Sequence, residues 1–244
     1  MGYKRETIIK YCEERLKDPS FFYKKDLPGA DGKPIERKDI INYRGVCTDT
    51  KEYYTEVIAE FLCNHINEFK SGIKTVDREN YKVDGHECEK INTSRTEEGI
   101  AMKMRRYSKN GGIYEFIGEI VDYQVPLKSS SKDDGLGKID LLAYDQKRNT
   151  MRILELKKPD SNETMLRCVL EAYTYYAVIK DKKKLAENYG HPDAEVKASP
   201  LVFTGKESNP YQEMLQERPW LKKLMKLLDS EPFYIHTYIT DKIV

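Results

Sequence analysis

The sequence has no closely spaced pair of cysteines. Its five, Cys12, Cys47, Cys63, Cys88 and Cys168, are an odd number at wide intervals with no C-x-x-C among them, which argues against a disulfide framework and against a structural zinc site. They are expected to be reduced and packed. Net charge of either sign is almost missing, because 42 Lys+Arg face 41 Asp+Glu and leave +1 at pH 7. No global field draws such a chain to nucleic acid, so any attraction must come from local clusters. Long apolar runs are missing too. No window approaches the roughly 18 uninterrupted apolar residues of a membrane span, and the charged start MGYKRETIIKYCEERLKD lacks the apolar region of a signal peptide. The expectation is a soluble, cytoplasmic protein with no membrane partner. Internal repeats and low-complexity tracts are absent as well.

What the chain does have is enough to build a core. Of its 244 residues 39% are hydrophobic and 11% aromatic, which excludes wholesale disorder despite 34% charged residues. The length fits one large domain or a core with extensions. Ile8, Ile9, Cys12 and Leu16 recur at helical spacing within Lys4 to Lys17, with Asp18-Pro19 as a stop. A polar loop follows from Leu27 to about Arg37. A long helix is predicted from Thr50 to Lys70, striped by Val57, Ile58, Phe61, Leu62, His65 and Ile66, with Gly72 past its end. From about Asn92 the pattern becomes a helix (Thr93 to Arg106), a β-type run (Ile113 to Leu127), a mobile loop (Ser129 to Gly137) and two strands (Lys138 to Tyr144, Met151 to Lys157). A helix (Glu163 to Lys180) and a short buried strand (Leu201 to Phe203) complete it. Beyond lie a helical stretch from Pro210 to Leu228, interrupted at Pro219, and an alternating strand, Phe233 to Thr240. The reading is an N-terminal helical extension at residues 1–75, a core at 76–205 and a C-terminal helix/strand extension at 206–244. The apolar stripes of the N-terminal helices and of Trp220 to Leu228 need covering, by the core or by a second subunit in a homodimer.

The segment GKIDLLAYDQKRNTMRILELKKP carries the chemistry. Two apolar runs flank the polar stretch Asp145 to Thr150, so a hairpin is the natural reading. If it is symmetric about that stretch, Asp145 pairs with Thr150 and, five residues further out on each strand, Asp140 pairs with Glu155. Directly opposed residues share a face with Cβ atoms about 4.5–5.5 Å apart, close enough for two carboxylates to bind one divalent cation. Lys157 shares that face. Met151 and Ile153 lie on it too, with Leu154 and Leu156 on the other, so the strand is apolar on both sides and central. An Asp, a Glu and a Lys there are costly to desolvate and need a metal or one another.

Asp140 followed by Glu155-Leu156-Lys157, inside an α-β-β-β-α-β succession, resembles the PD-(D/E)XK nuclease superfamily over roughly Asn92 to Gly205. The resemblance implies an α/β protein with a restriction-endonuclease-like αβββαβ core on a mixed sheet. It implies a nuclease that hydrolyses phosphodiester bonds of DNA, with RNA not distinguished, by attack of metal-activated water. Magnesium, replaceable by manganese, would be held by Asp140, Glu155 and the Leu156 carbonyl, and Lys157 would orient or activate the water or stabilise charge as it develops. Members of this superfamily also carry a Glu on the helix before the first strand. Here Glu97 projects with Ile100, Ala101 and Met104, whereas Glu98 points about 100° away, which makes Glu97 the match. Two positions depart from the pattern: Ile139 stands where a Pro is common, and the helix after Lys157 has no Gln. Arg167, Glu171 and Thr174 form a stripe beside its apolar face instead, and Arg167 and Lys158 are the candidate phosphate contacts. The competing reading is a catalytically inactive module of the same fold that binds nucleic acid or a protein partner.

Other features are weaker. His86-Glu87-Cys88 has no second pair at zinc spacing. Gly135-Leu136-Gly137 lacks the strand-before, helix-after context of a phosphate loop. The basic clusters at Lys180 to Lys184, Lys103 to Arg106 and Lys222-Lys223 read as solvated faces.

Overall fold

The computed structural model describes residues 2–16, 40–83, 96–128 and 137–236. The polar loop at 27–37, His86-Glu87-Cys88 and most of the Ser129 to Gly137 loop lie outside them. Strands β1 (Glu119–Pro126), β2 (Lys138–Asp145), β3 (Thr150–Leu156), β4 (Glu195–Phe203) and β5 (Phe233–Ile235) form one open sheet in the order β1-β2-β3-β4-β5. The first three are antiparallel neighbours, and β4 and β5 run parallel to β3 and to each other. Every residue of β3 is buried, as its position in the middle of the sheet demands.

Among the described residues eight α-helices pack on the sheet or on one another: α1 (Arg5–Leu16), α2 (Tyr54–Asn64), α3 (Ile66–Gly72), α4 (Thr96–Lys109), α5 (Met165–Val178), α6 (Lys182–Asn188), α7 (Asn209–Met214) and α8 (Pro219–Leu228). Side chains alternate across a strand, and the core divides accordingly. Leu154 and Leu156 join Ala101 and Met104 of α4 on one face, while Met151 and Ile153 join Ala172 of α5 and Leu185 of α6 on the other. A third cluster sits beyond α5. Ile8 and Cys12 of α1, Val57, Ile58 and Leu62 of α2, and Leu221, Leu224 and Leu228 of α8 close over Met165, Leu166 and Val169 of α5. The apolar stripes of the first and last helices thus cover each other and the outer side of α5.

Several predicted elements differ in extent, each for a local reason. The helix predicted over Thr50 to Lys70 breaks at His65, whose ring stacks on Phe61 with centroids 4.2 Å apart while its Nδ1 meets the Phe61 carbonyl at 2.9 Å. The run from Ile113 becomes strand only at Glu119. Before that, Tyr114 and Gly118 exchange backbone hydrogen bonds of 3.0 and 2.8 Å in a tight turn. Gly118 has φ +87°, and a Cβ there would lie 2.0 Å from the Tyr144 carbonyl oxygen, so only glycine fits. α5 starts at Met165, not Glu163, because the Thr164 hydroxyl caps it by accepting from Arg167 N at 3.2 Å. Strand β4 begins at Glu195 rather than Leu201, drawn out along the whole of β3. The lysines at 182–184 belong to α6, capped by Asp181, with Leu185 and Ala186 buried. Within the described residues β5 ends at Ile235, and 237–240 of the predicted terminal strand lie outside them.

Candidate active site

The β2–β3 hairpin pairs Asp145 with Thr150 and continues in register to Leu141 opposite Leu154. One step further out stand Asp140 and Glu155, and there side chains replace the ladder. Asp140 Oδ2 accepts the backbone N–H of Leu156 at 3.0 Å, and its Oδ1 accepts from Gln124 Nε2 at 2.9 Å. Gln124 reaches it from β1 in the left-handed region, with φ +49°, a conformation that costs a non-glycine residue on the order of 1 kcal/mol. Past Leu156 the chain is carried by β4, Lys157 N donating to the Leu201 carbonyl at 3.0 Å.

Lys157 is buried among carboxylates. Its Nζ lies 2.6 Å from Glu155 Oε1, 2.7 Å from Glu163 Oε2 and 3.1 Å from Glu171 Oε2. Glu163 is free to turn inward because the cap places it outside α5, and Glu171 comes from two turns along that helix. Arg167 faces the same two acids, 2.9 Å from Glu163 and 3.5 Å from Glu171. Glu97 arrives from α4 on the opposite side, and its Oε1 accepts from Lys158 N at 3.1 Å. The Lys158 ammonium turns outward to Asp160 at 3.2 Å. The structure therefore gathers Asp140, Glu155, Leu156, Lys157 and Glu97 at one end of the sheet, with Arg167 behind them bound to acids of its own helix end.

Five carboxyls, Asp140, Glu155, Glu163, Glu171 and Glu97, share two cations, and the protonation equilibria reflect the shortage. Burial pushes Asp140 up to about 7, against the pull of Lys157 and the Leu156 N–H, and the charges of Glu171 and Glu97 add to the rise. Burial, then the charges of Asp140 and Glu171, hold Glu155 well above the usual carboxylate range. Glu171 goes the other way: Lys157 and Arg167 outweigh its burial and bring it below its ordinary value. Burial alone would lower Lys157, but Glu155 and Glu171 reverse that and raise it well above the usual lysine range, so it is an ammonium at neutral pH.

Glu155 Oε2 is buried and meets no hydrogen-bond donor among the described residues. Such an oxygen is costly to leave bare, and a proton or a hard cation answers it. Among the described residues no three His, Cys, Asp or Glu side chains converge as ligands. The donors on offer to a cation are the Asp140 and Glu155 carboxylates and the Leu156 carbonyl, all oxygens of the type that magnesium prefers. In donor chemistry this set suits a divalent ion, and in charge it does so once Asp140 and Glu155 have given up their protons.

Sequence reasoning missed three members of the cluster. Glu171 was visible as a neighbour of Arg167 at i,i+4, but its reach to Lys157 depends on how α5 crosses β3. Glu163 looked helical until the Thr164 cap is recognised. Gln124 lies in an ordinary-looking strand and gives no signal at all. Comparison of the chain with protein-family models, with curated proteins and with solved structures gave no match. What the fold itself defines is an α/β protein on a five-stranded, mixed, open sheet with helices on both faces. Among the described residues no helix is long and apolar enough to cross a membrane.

Proposed function

We propose that the chain is a divalent-cation-dependent nuclease with a restriction-endonuclease-like core of the PD-(D/E)XK kind, hydrolysing phosphodiester bonds of DNA. The observation that carries this reading is the meeting of Asp140, Glu155 and Lys157 at the open end of the β2–β3 hairpin, in a cluster with more carboxylates than cations and with Glu155 Oε2 buried without a donor among the described residues. Asp140, Glu155 and the Leu156 carbonyl would hold the cation, magnesium or manganese. When bound, it supplies Lewis-acid activation of water and neutralises phosphate charge.

The remaining work falls to the chain. Gln124 and the Leu156 N–H fix the Asp140 carboxylate in orientation. Glu163 and Glu171 keep Lys157 protonated, so Lys157 acts as a compact positive charge beside the reacting phosphate and not as a base at neutral pH. Glu97 holds the Lys158 backbone and thereby the turn that follows the site.

The test is cleavage of single-stranded, duplex and branched DNA, and of RNA, with and without Mn²⁺. Asp140→Ala and Glu155→Ala are expected to abolish metal-dependent cleavage while the fold is kept. Lys157→Ala should lower the turnover number by roughly 10²–10³-fold with divalent-ion affinity kept or raised, and Lys157→Arg should restore only part of the rate. Normal cleavage by both carboxylate variants would remove the assignment. A second reading, a silent module of the same fold, draws support from the three carboxylates that already occupy Lys157. A chain that binds neither Mg²⁺ nor Mn²⁺ at millimolar concentration by calorimetry would favour it.

A further inference from the structure

Across the sheet from the acidic cluster lies a second concave site. Period-2 alternation turns Arg152 of β3 to the face of Leu154 and Leu156, away from Glu155. Helix α4 covers β1 and the adjoining part of β2 on that face, and beyond its reach the sheet floor is open. There a cavity of about 410 Å³ is floored by Arg152, Lys197 and Ser199 and walled by Phe116 and Phe233.

Arg152 is the unusual group. It is only 8% exposed, its Nε is buried without a hydrogen-bond partner among the described residues, and its guanidinium stacks on the Phe233 ring, 4.7 Å from the centroid. The neighbouring cations are already taken: Lys197 lies 3.0 Å from Asp229 and 3.4 Å from Glu195, and Arg148 lies 2.6 Å from Asp145. A guanidinium carries five N–H donors in a planar fork, and a buried one without an acceptor, as Nε is here, is expensive. Burial draws Arg152 below the ordinary arginine value, against the pull of the Asp145, Asp229 and Glu195 charges, none of which forms an ion pair with it. The stack on Phe233 also holds the fork in one plane, ready for two parallel hydrogen bonds to an oxyanion.

The rim decides which oxyanion. Glu195, Asp229 and Glu231 edge the cavity, so a doubly charged phosphate meets about twice the repulsion that a single negative charge does. Phe116, 58% exposed, and Phe233 offer flat apolar walls to the body of the ligand. We propose that this cavity binds a small monocarboxylate with an aromatic or apolar body, its carboxylate on the Arg152 fork and its body between the two phenylalanines. The volume is in the range of small-molecule sites. The site is independent of the nuclease reading, since it lies on the other face of the sheet and shares no residue with it.

Benzoate, benzamide and inorganic phosphate serve as probes in NMR titrations of the full chain. Benzoate should produce saturable shifts at the amides of Arg152, Lys197 and Ser199, with benzamide and phosphate at least tenfold weaker. Arg152→Met should weaken benzoate by roughly ten- to a hundredfold, the worth of charge-assisted hydrogen bonds, and melt no lower than the parent without ligand, because it removes an uncompensated buried charge. Asp140→Asn should bind benzoate like the parent. Equal shifts by benzoate and benzamide, tighter binding of phosphate, unchanged benzoate affinity in Arg152→Met, or a marked loss of its stability would each overturn the proposal.

Discussion

The charge state of Asp140 sets much of the behaviour of the acidic cluster. With its pKa raised from 3.8 to about 7 by burial, the folded chain keeps a proton that the unfolded chain gives up. Between those two values the native state therefore binds more protons, and stability falls as pH rises through the window. Asp140→Asn removes that titration without emptying the position. The amide oxygen can still accept the Leu156 N–H, and the Gln124 amide can turn over to accept from the new NH₂ group. This variant is expected to melt higher than the parent at pH 7.5, by on the order of 1–2 kcal/mol of stability, and to show no further gain on adding Mg²⁺. Melts from pH 5 to 8 check both points. The opposition of Asp140 and Glu155 was legible in the sequence because hairpin symmetry follows from where the polar stretch falls between two apolar runs. The rest of the cluster was not. Glu163 and Glu171 acquire meaning only from the crossing of α5 over β3, and the left-handed backbone of Gln124 is imposed by tertiary contacts, which leave no trace in a strand-like run.

Among the elements, the joint between α2 and α8 rests on one buried carboxylate. Glu56 Oε2 and Oε1 accept the N–H groups of Trp220 and Leu221, each at 3.0 Å, so a residue of α2 satisfies the open donors at the start of α8. Glu56→Ala would strip both amides of their acceptor at a buried site, and should cost about 1–3 kcal/mol. Denaturant melts should report this as a lower midpoint with an unchanged m-value. Glu213 of α7 does the same for α5, accepting from Met165 N at 2.8 Å and from the Thr55 hydroxyl at 2.6 Å. Removing residues 1–75 would lay bare the apolar side of α5 and α8, and the remainder is expected to aggregate. Size-exclusion chromatography checks it, a soluble monomer of parental stability being the contrary result. The amphipathic stripes of α1, α2, α5 and α8 were readable from 3.6-residue periodicity. The buried glutamates were not, because a Glu on a helix reads as solvated until the partner helix, 164 residues away for Glu56 and 48 for Glu213, is in place.

At the scale of the whole molecule, a net charge of +1 conceals strong local separation, with five carboxyls around two cations at one end of the sheet. If the proposed cation site is present, Asp140 must lose its proton to serve as a ligand, and divalent-ion affinity is expected to rise by about tenfold per pH unit up to about pH 7, more steeply if Glu155 also deprotonates. Calorimetric titrations with Mn²⁺ at three pH values measure the slope. The interlock of first and last helices has a further consequence, for synthesis. Glu56 leaves the ribosome 165 residues ahead of Leu221, and at about 5–20 residues per second its helix waits roughly 8–33 seconds for its cover. Met165, Leu166 and Val169 of α5 belong to the same cluster, so the outer side of the helix that supplies Glu171 is covered only once that wait is over. A nascent chain stalled before Leu221 would thus have every carboxylate of the cluster already made while the outer side of α5, the helix that carries Glu171, still lacked the cover that α8 provides.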